Sequence, residues 1–264
     1  MTKPLTILLV GDVVGRPGRE AFGRIYPLLR EREGIDFSVV NAENSAGGSG
    51  LNDKTVTQLL AAGADVLTAG DHIWRNKKVI PIIEEEHRLL RPANLPPGSP
   101  GAGGRIFSAA SGISIGVISL LGRVFMNPLD SPFQEVDRQI EKISQRTKII
   151  LVDFHAEATS EKLAMGYYCA GRVSAVVGTH THIPTADERI LPGGTAYITD
   201  LGMTGGFESI LGREIEPVLK KMVTGMPALF QVSSRRPVLQ GAVVKIDPAT
   251  GKALSIKRVW EEAE

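Results

Sequence analysis

Cysteine is nearly missing from this sequence: Cys169 is the single one in 264 residues. That excludes an intramolecular disulfide and fits a reducing compartment. Long apolar runs are missing too. No stretch approaches the ~20 consecutive apolar residues of a membrane-spanning helix. The apolar run at 5–10 is too short for the hydrophobic region of a secretory signal. Charge of one sign is not in excess, since 30 Lys+Arg against 29 Asp+Glu leave +1. A dedicated nucleic-acid-binding domain would carry a basic surplus. There is no internal repeat and no G-x-S-x-G elbow for a serine nucleophile. "GDVVGRPG" at 11–18 matches neither the P-loop nor G-x-G-x-x-G. These absences lead us to expect a soluble, cytoplasmic protein with no membrane partner and no dedicated nucleic-acid surface. A homo-oligomer stays open.

What is present is the composition of a globular α/β protein, 42% apolar and 22% charged. Short β-branched runs alternate with longer amphipathic stretches. Strands are expected at 5–10, 36–40, 65–70, 113–122 and 148–155, then in "SAVVG", "TAYIT", "ALFQVSS" and a final hairpin around the turn "PATG". Helices are expected at 20–33, with a kink or break at Pro27, and at 54–64, 77–90, 133–147 and 159–171. The last should be capped by Thr159 or Ser160 and stop near Gly171, with Cys169 as a small packed residue. The Pro/Gly-dense stretch 91–104 reads as a loop too short to link domains, and the tail "EEAE" as frayed. The tally is about ten strands and five or six helices in one domain, 1–264.

Chemistry-bearing residues follow the apolar strands. Asp12 ends one, Glu43-Asn44 another, Asp71-His72 a third, His155 a fourth, and His180 with His182 a fifth. In open α/β sheets, sites form outside the carboxyl ends of the strands. Four of the five histidines fall there; His87 reads as a solvated helix residue. If extended geometry continues through 182, His180 and His182 point to one face. Singly, each residue has an ordinary reading: Asp12 as a helix cap, Glu43 as a loop charge, His155 as a histidine satisfied under a loop. Jointly they form an oxygen- and nitrogen-ligand set for metal. Asp12, Glu43, Asn44, Asp71, His155, His180 and His182 are too many for one tetrahedral ion. They suit two ions about 3.5–4 Å apart that share a bridging carboxylate, the clamp used on phosphate esters.

"GD" (11–12), "NAEN" (41–44), "GDH" (70–72), "FH" (154–155) and "GTHTH" (178–182) resemble the ordered motifs of the calcineurin-like metallophosphoesterase superfamily. "GDVVGRPGR", "HAEATSEKLAMG" and "TADERILPGGTAYITDLGMTG" resemble its bacterial YmdB-type phosphodiesterase branch, and the likeness covers nearly the whole chain. The resemblance implies an α/β four-layer sandwich, two mixed β-sheets flanked by helices. It implies a dinuclear centre of Fe, Mn or Zn and hydrolysis of small phosphodiesters, including 2′,3′- or 3′,5′-cyclic nucleotides. One ion would be held by Asp12, Glu43, Asn44 and His182. The other would be held by Glu43, Asp71, His155 and His180, with Glu43 bridging. Two departures stand out. The superfamily's opening D-x-H is Asp12-Val13-Val14 here, as in the YmdB-type branch. The usual G-N-H is Gly70-Asp71-His72, which adds a carboxylate and puts metal preference in question.

The implied mechanism is attack on phosphorus by a metal-bridging hydroxide, with His72 as proton donor to the leaving oxygen. Arg16, Arg91, Arg123 and Arg172 read as structural or surface residues rather than phosphate contacts. Two other functions compete: a phosphomonoesterase or other dinuclear hydrolase, and a non-catalytic, metal-dependent regulator.

Overall fold

The structure is a computed structural model that describes residues 3–263. Along the chain run β1 (Leu5–Val10), β2 (Asp12–Val13), α1 (Gly15–Glu33), β3 (Phe37–Asn41), α2 (Asp53–Ala61), β4 (Val66–Thr68), α3 (Val79–Glu85), β5 (Leu89–Leu90), β6 (Gly104–Ser108) and β7 (Ser114–Leu121). Then follow α4 (Pro132–Ser144), β8 (Ile150–His155), α5 (Thr159–Cys169), β9 (Ala175–Thr179), β10 (Arg189–Leu191), β11 (Thr195–Ile198), β12 (Met203–Gly206), α6 (Ile215–Thr224), β13 (Pro237–Ile246) and β14 (Ala253–Glu262).

The strands form two mixed sheets. The first has the order β2-β12-β13-β1-β3-β4-β5, with β14 paired to β13. Here β1, β3, β4 and β5 are parallel, and β13 runs antiparallel to β1. The second has the order β10-β11-β9-β8-β7-β6, with parallel β7, β8, β9 and β11 and antiparallel edges. Side chains alternate across each strand, and that alternation sorts them into layers. Leu5, Ile7 and Leu9 of β1 join Phe37, Val39, Leu151 and Val177 between the sheets. Leu8 and Val10 face the other way, onto Phe22, Ile25 and Leu29 of α1 and Leu59 of α2. On the far side Ile150, Val152 and Phe154 pack on Val136 and Ile140 of α4 and Met165 of α5. The result is the expected four-layer α/β sandwich.

Several elements differ from the sequence reading. Helix α1 begins at Gly15 and continues across Pro27, which sits on the solvent side. Helix α3 is short, and His87 lies exposed in the turn after it rather than in a helix. Strand β6, an edge strand, carries too little apolar pattern to announce itself; helix α6 does carry helical apolar spacing at Ile215, Val218, Leu219, Met222 and Val223, which the sequence reading passed over, though only Val218 is buried. "ALFQVSS" forms no strand and makes one bridge, Arg213 to Val232. Helix α5 starts after Ala158 with no side-chain cap. In the tail, Glu261 and Glu262 pair with β13, and Glu264 lies outside the described residues. Among the described residues no helix is long and apolar enough to cross a membrane.

Candidate metal centre

The parallel strands run apolar for most of their length and turn polar where they end at one edge of the sandwich. Asp12 follows β1, Glu43 and Asn44 follow β3, Gly70-Asp71-His72 follow β4, His155 ends β8, and His180 and His182 follow β9. Asp12, Glu43, Asn44 and His155 are fully buried. Acids are rarely buried unless paired or bound to metal.

Two groups of side chains converge here. In one, single ligand atoms of Glu43, Asp71, His155 and His180 all lie within 4.8 Å of one another. His155 Nε2 is 3.2 Å from both Glu43 Oε1 and Asp71 Oδ1, and 3.0 Å from His180 Nδ1. In the other, Asn44 Nδ2 is 3.0 Å from Glu43 Oε1, 3.4 Å from Asp12 Oδ1 and 3.2 Å from His182 Nε2. His182 Nε2 is 3.7 Å from Asp12 Oδ1. As placed, the Asn44 amide turns its nitrogen to these groups and its oxygen to His72 Nδ1, at 2.8 Å. Oxygen ligation from Asn44 needs that amide turned over. Glu43 touches both groups. His72 lies beside them, its Nδ1 3.2 Å from Glu43 Oε1 and its Nε2 3.8 Å from Asp71 Oδ2.

The same-face expectation for His180 and His182 is overturned. Extended geometry stops at Thr179, and both histidines take positive φ, 101° and 63°. Positive φ is uncommon outside glycine, and such strained residues concentrate at functional sites. The turn sends His180 to the first group and His182 to the second. Thr181 between them holds it: its N–H and hydroxyl donate to Asp200 Oδ2 at 3.1 and 2.8 Å. Asp200 is buried and also accepts from Lys162 Nζ at 2.6 Å. Gly70 permits the approach of the third motif, because a Cβ there would enter the His155 ring and the Glu43 carboxylate.

The electrostatics follow from this crowding. Burial pushes the Glu43 carboxyl up, but the charge and hydrogen bond of His155 and the hydrogen bond from His72 outweigh it and hold the carboxyl far below the usual range. Asp71 behaves alike, burial being outweighed by His155 and His180. Burial pushes His155 down, yet Glu43, Asp71 and Asp12 carry it well above the ordinary imidazole value. His72 is raised by its hydrogen bond to Glu43, against burial. Without metal, protons on imidazoles balance the carboxylates. The donor set of carboxylate oxygens, imidazoles and one amide fits divalent ions, whose binding would displace those protons.

Sequence reading missed the groups that steady this set. Glu157 Oε2 is 3.0 Å from His180 Nε2, and its place two residues after His155 was the only signal available. The four arginines stay out of the cluster's hydrogen bonds. Arg16 pairs with Glu20, Arg91 with backbone carbonyls and Arg172 with Asp137, while Arg123 uses its backbone N–H on Glu161. Cys169 packs on Met165, and burial pushes its thiol up to about 12, which makes it a poor nucleophile.

Fold and site together describe a metallophosphoesterase-type protein. The chain matches the YmdB-like protein family over residues 8–259 and belongs to that family. It is 48% identical to the 2′,3′-cyclic-nucleotide 2′-phosphodiesterase of Bacillus subtilis, over 97% of this chain and 96% of that protein. Among solved structures it matches a hypothetical protein of Thermus thermophilus with a TM-score of 0.92 and 39% identity, covering 98% of this chain and 100% of that one. It also matches a novel phosphatase of Mycoplasma pneumoniae with a TM-score of 0.92 and 34% identity, covering 99% and 95%.

Proposed function

We propose that this chain, acting as one domain, is a metal-dependent phosphodiesterase whose substrates are 2′,3′-cyclic nucleotides. The observation that carries the reading is the convergence of Glu43, Asp71, His155 and His180 ligand atoms within 4.8 Å, with His72 alongside. The name of the Bacillus subtilis relative supports the substrate class, including cleavage on the O2′ side. In this reading Asp12, Glu43, Asn44 and His182 hold one ion. Glu43, Asp71, His155 and His180 hold the other. Glu43, which touches both groups of side chains, would be shared between them. Bound there, such ions supply Lewis acidity to the phosphoryl oxygens and activate water.

The chain's own residues do the rest. His72 Nδ1 lies between the Asn44 amide and Glu43 Oε1, and once that amide turns its oxygen to metal its nitrogen would face Nδ1, which leaves Nε2 as the atom that carries a proton outward. In the metal-free chain the hydrogen bond to Glu43 raises the pKa of His72. Its role is to protonate the departing alkoxide.

The test has two parts. Purified protein is stripped with a chelator, reloaded with Fe, Mn or Zn, and given 2′,3′-cyclic AMP. Expected is metal-restored formation of the 3′-phosphate, with 3′,5′-cyclic AMP as the comparison substrate. His72→Ala should then slow poor leaving groups about 10²–10⁴-fold, lose less on p-nitrophenolate, and keep its metal. Equal losses on both leaving groups would remove His72 as the donor. The description of the Mycoplasma pneumoniae structure as a phosphatase favours phosphomonoesters as a second reading. A higher kcat/KM on p-nitrophenyl phosphate than on bis-p-nitrophenyl phosphate would select it. No turnover with any metal would leave a binding or regulatory role.

A further inference from the structure

Directly beneath the metal-ligand cluster lies a layer of polar side chains that the proposed chemistry does not use. Each sits where strand alternation would otherwise continue the apolar interior. In β3 the residues facing the other sheet run Phe37, Val39, Asn41; in β4 Val66, Thr68; in β8 Leu151, Asp153, His155; in β9 Ala175, Val177, Thr179. Asn41, Thr68, Asp153 and Thr179 are all buried. They come two from each sheet and bond across the gap. Four buried polar groups meeting in an apolar interior are costly unless they satisfy one another.

With Asp153 as a carboxylate, their hydrogen bonds close in a single set. Asn41 Oδ1 accepts from the Glu43 N–H at 3.2 Å, which fixes the amide's orientation. Its Nδ2 has two protons and three neighbours; it donates to the two nearer ones, Asp153 Oδ2 at 3.2 Å and Thr179 Oγ1 at 3.3 Å, ahead of His155 Nδ1 at 3.4 Å. Thr68 gives its hydroxyl proton to Asp153 Oδ2. Thr179 gives its own to Asp153 Oδ1 at 2.7 Å. A hydroxyl has one proton, so Thr179 can only accept from His155 Nδ1, which lies 2.9 Å away. With Nδ1 keeping its proton, Nε2, which faces Glu43, Asp71 and His180, is the nitrogen that gives up its proton when metal binds. With Asp153 ionised, reversing the Thr179 hydroxyl would leave two oxygen lone pairs facing each other at 2.7 Å.

We infer that the Asp153–Thr179 relay fixes His155 in the tautomer whose Nε2 can ligate metal, so that Asp153 and Thr179 are positioning residues for the centre. The inference rests on the metal reading given under the proposed function. A ligating histidine held through its other nitrogen by an acceptor is a general device, and loss of such support typically costs about 10–100-fold in metal affinity. An amide at 153 cannot replace the carboxylate. With its nitrogen toward Thr179 it reverses the relay, and with its nitrogen toward Asn41 it sets donor against donor.

The experiment is a Mn²⁺ titration by calorimetry and EPR of the full chain, wild type against Thr179→Ser, Thr179→Val and Asp153→Asn. Thr179→Ser should stay within about twofold of wild type, because it keeps the hydroxyl. Thr179→Val, nearly the same size, should lose about 10–100-fold, and Asp153→Asn a similar amount. A structural role alone would show as altered melting in the serine variant as well. In parallel, long-range ¹H–¹⁵N correlation on Zn²⁺-loaded wild type should show His155 with a protonated Nδ1. That measurement stands even if the buried variants fail to fold. A bare Nδ1 in His155, or equal affinities for serine and valine at 179, overturns the inference while the metal reading survives. Failure of the wild-type chain to take up any metal overturns both.

Discussion

Asp200 and Glu43 are both carboxylates without solvent exposure, yet their surroundings follow opposite plans. Asp200 is answered in full. Lys162 supplies the opposite charge, and Thr181 and the Gly202 N–H supply the remaining donors. Glu43 instead shares its space with Asp71 and Asp12, and its partners are imidazoles and an amide that have other acids to serve. The first cluster is complete as protein. The second has more acceptors than the chain can balance except with protons, which is how a site for cations differs from a structural ion pair. The two are joined: Asp200 anchors Thr181, and Thr181 sets the positive-φ turn that aims His180 and His182.

The comparison breaks most visibly at the complete cluster. Asp200→Asn leaves the Lys162 ammonium, only 1% exposed, without a counter-charge. Unpairing a buried ion pair costs about 3–5 kcal/mol, a large share of a typical total stability of about 5–15 kcal/mol. Urea unfolding of the metal-free chain should show that loss. Lys162→Met combined with Asp200→Asn should recover much of it, because no buried charge remains unpaired. An Asp200→Asn midpoint equal to wild type would mean the pair is not the anchor described.

How much of this was legible in the sequence follows from what strand order can and cannot tell. The strand-end residues could be read because parallel α/β strands deliver their carboxyl ends to one edge, so Asp12, Glu43, Asp71, His155 and His180 needed no three-dimensional knowledge. Asp153 could not, because alternation within "IILVDFH" does not say which side faces a second sheet. Lys162 and Asp200 are 38 residues apart, and nothing local in either marks a partner. Neither could the turn at His180–His182, where "VVGTHTH" reads as strand continued and the backbone instead reverses its φ. Helix α6 was legible but not read: Ile215, Val218, Leu219, Met222 and Val223 have helical spacing, and what the sequence could not tell is that most of that stripe stays exposed.

The next effect is expected at Asp71, where the incomplete cluster departs from the superfamily pattern. In the proposed two-ion centre, two divalent ions would bring four positive charges, and Asp12, Glu43 and Asp71, if ionised, would return three. An amide at 71 returns only two. A unit charge about 4 Å from another is worth about 4 kcal/mol at an effective dielectric of 20, part of which a neutral oxygen ligand would retain. Asp71→Asn should weaken metal binding by about tenfold or more and lower the fraction of trivalent iron. Unlike Asp200→Asn, it leaves no fully buried ammonium unpaired, and with its side chain 28% exposed its cost to metal-free stability should be the smaller of the two. Metal titration, Mössbauer spectra and urea midpoints on the same preparations read all three. Unchanged affinity and unchanged iron oxidation state would mean that neighbouring groups already cancel the extra charge.

The smallest effect belongs to Glu157, and it separates the supports of two histidines of the cluster. His155 is held from below by buried groups. His180 is held at Nε2 by Glu157, whose side chain is 50% exposed, with Nδ1 turned to His155 and Asp71. An exposed carboxylate–imidazole contact is screened by water and worth about 0–1 kcal/mol. Glu157→Gln keeps an oxygen that can accept from Nε2–H, so the His180 tautomer should survive while the charge is lost. Metal affinity should fall no more than about fivefold at low salt, and the difference should close near 1 M salt, where the screening length is about 3 Å. The Thr179→Val loss should persist at the same salt, because solvent ions do not reach that layer. A Glu157→Gln loss as large as that at Asp71, and unmoved by salt, would instead make Glu157 a ligand in its own right.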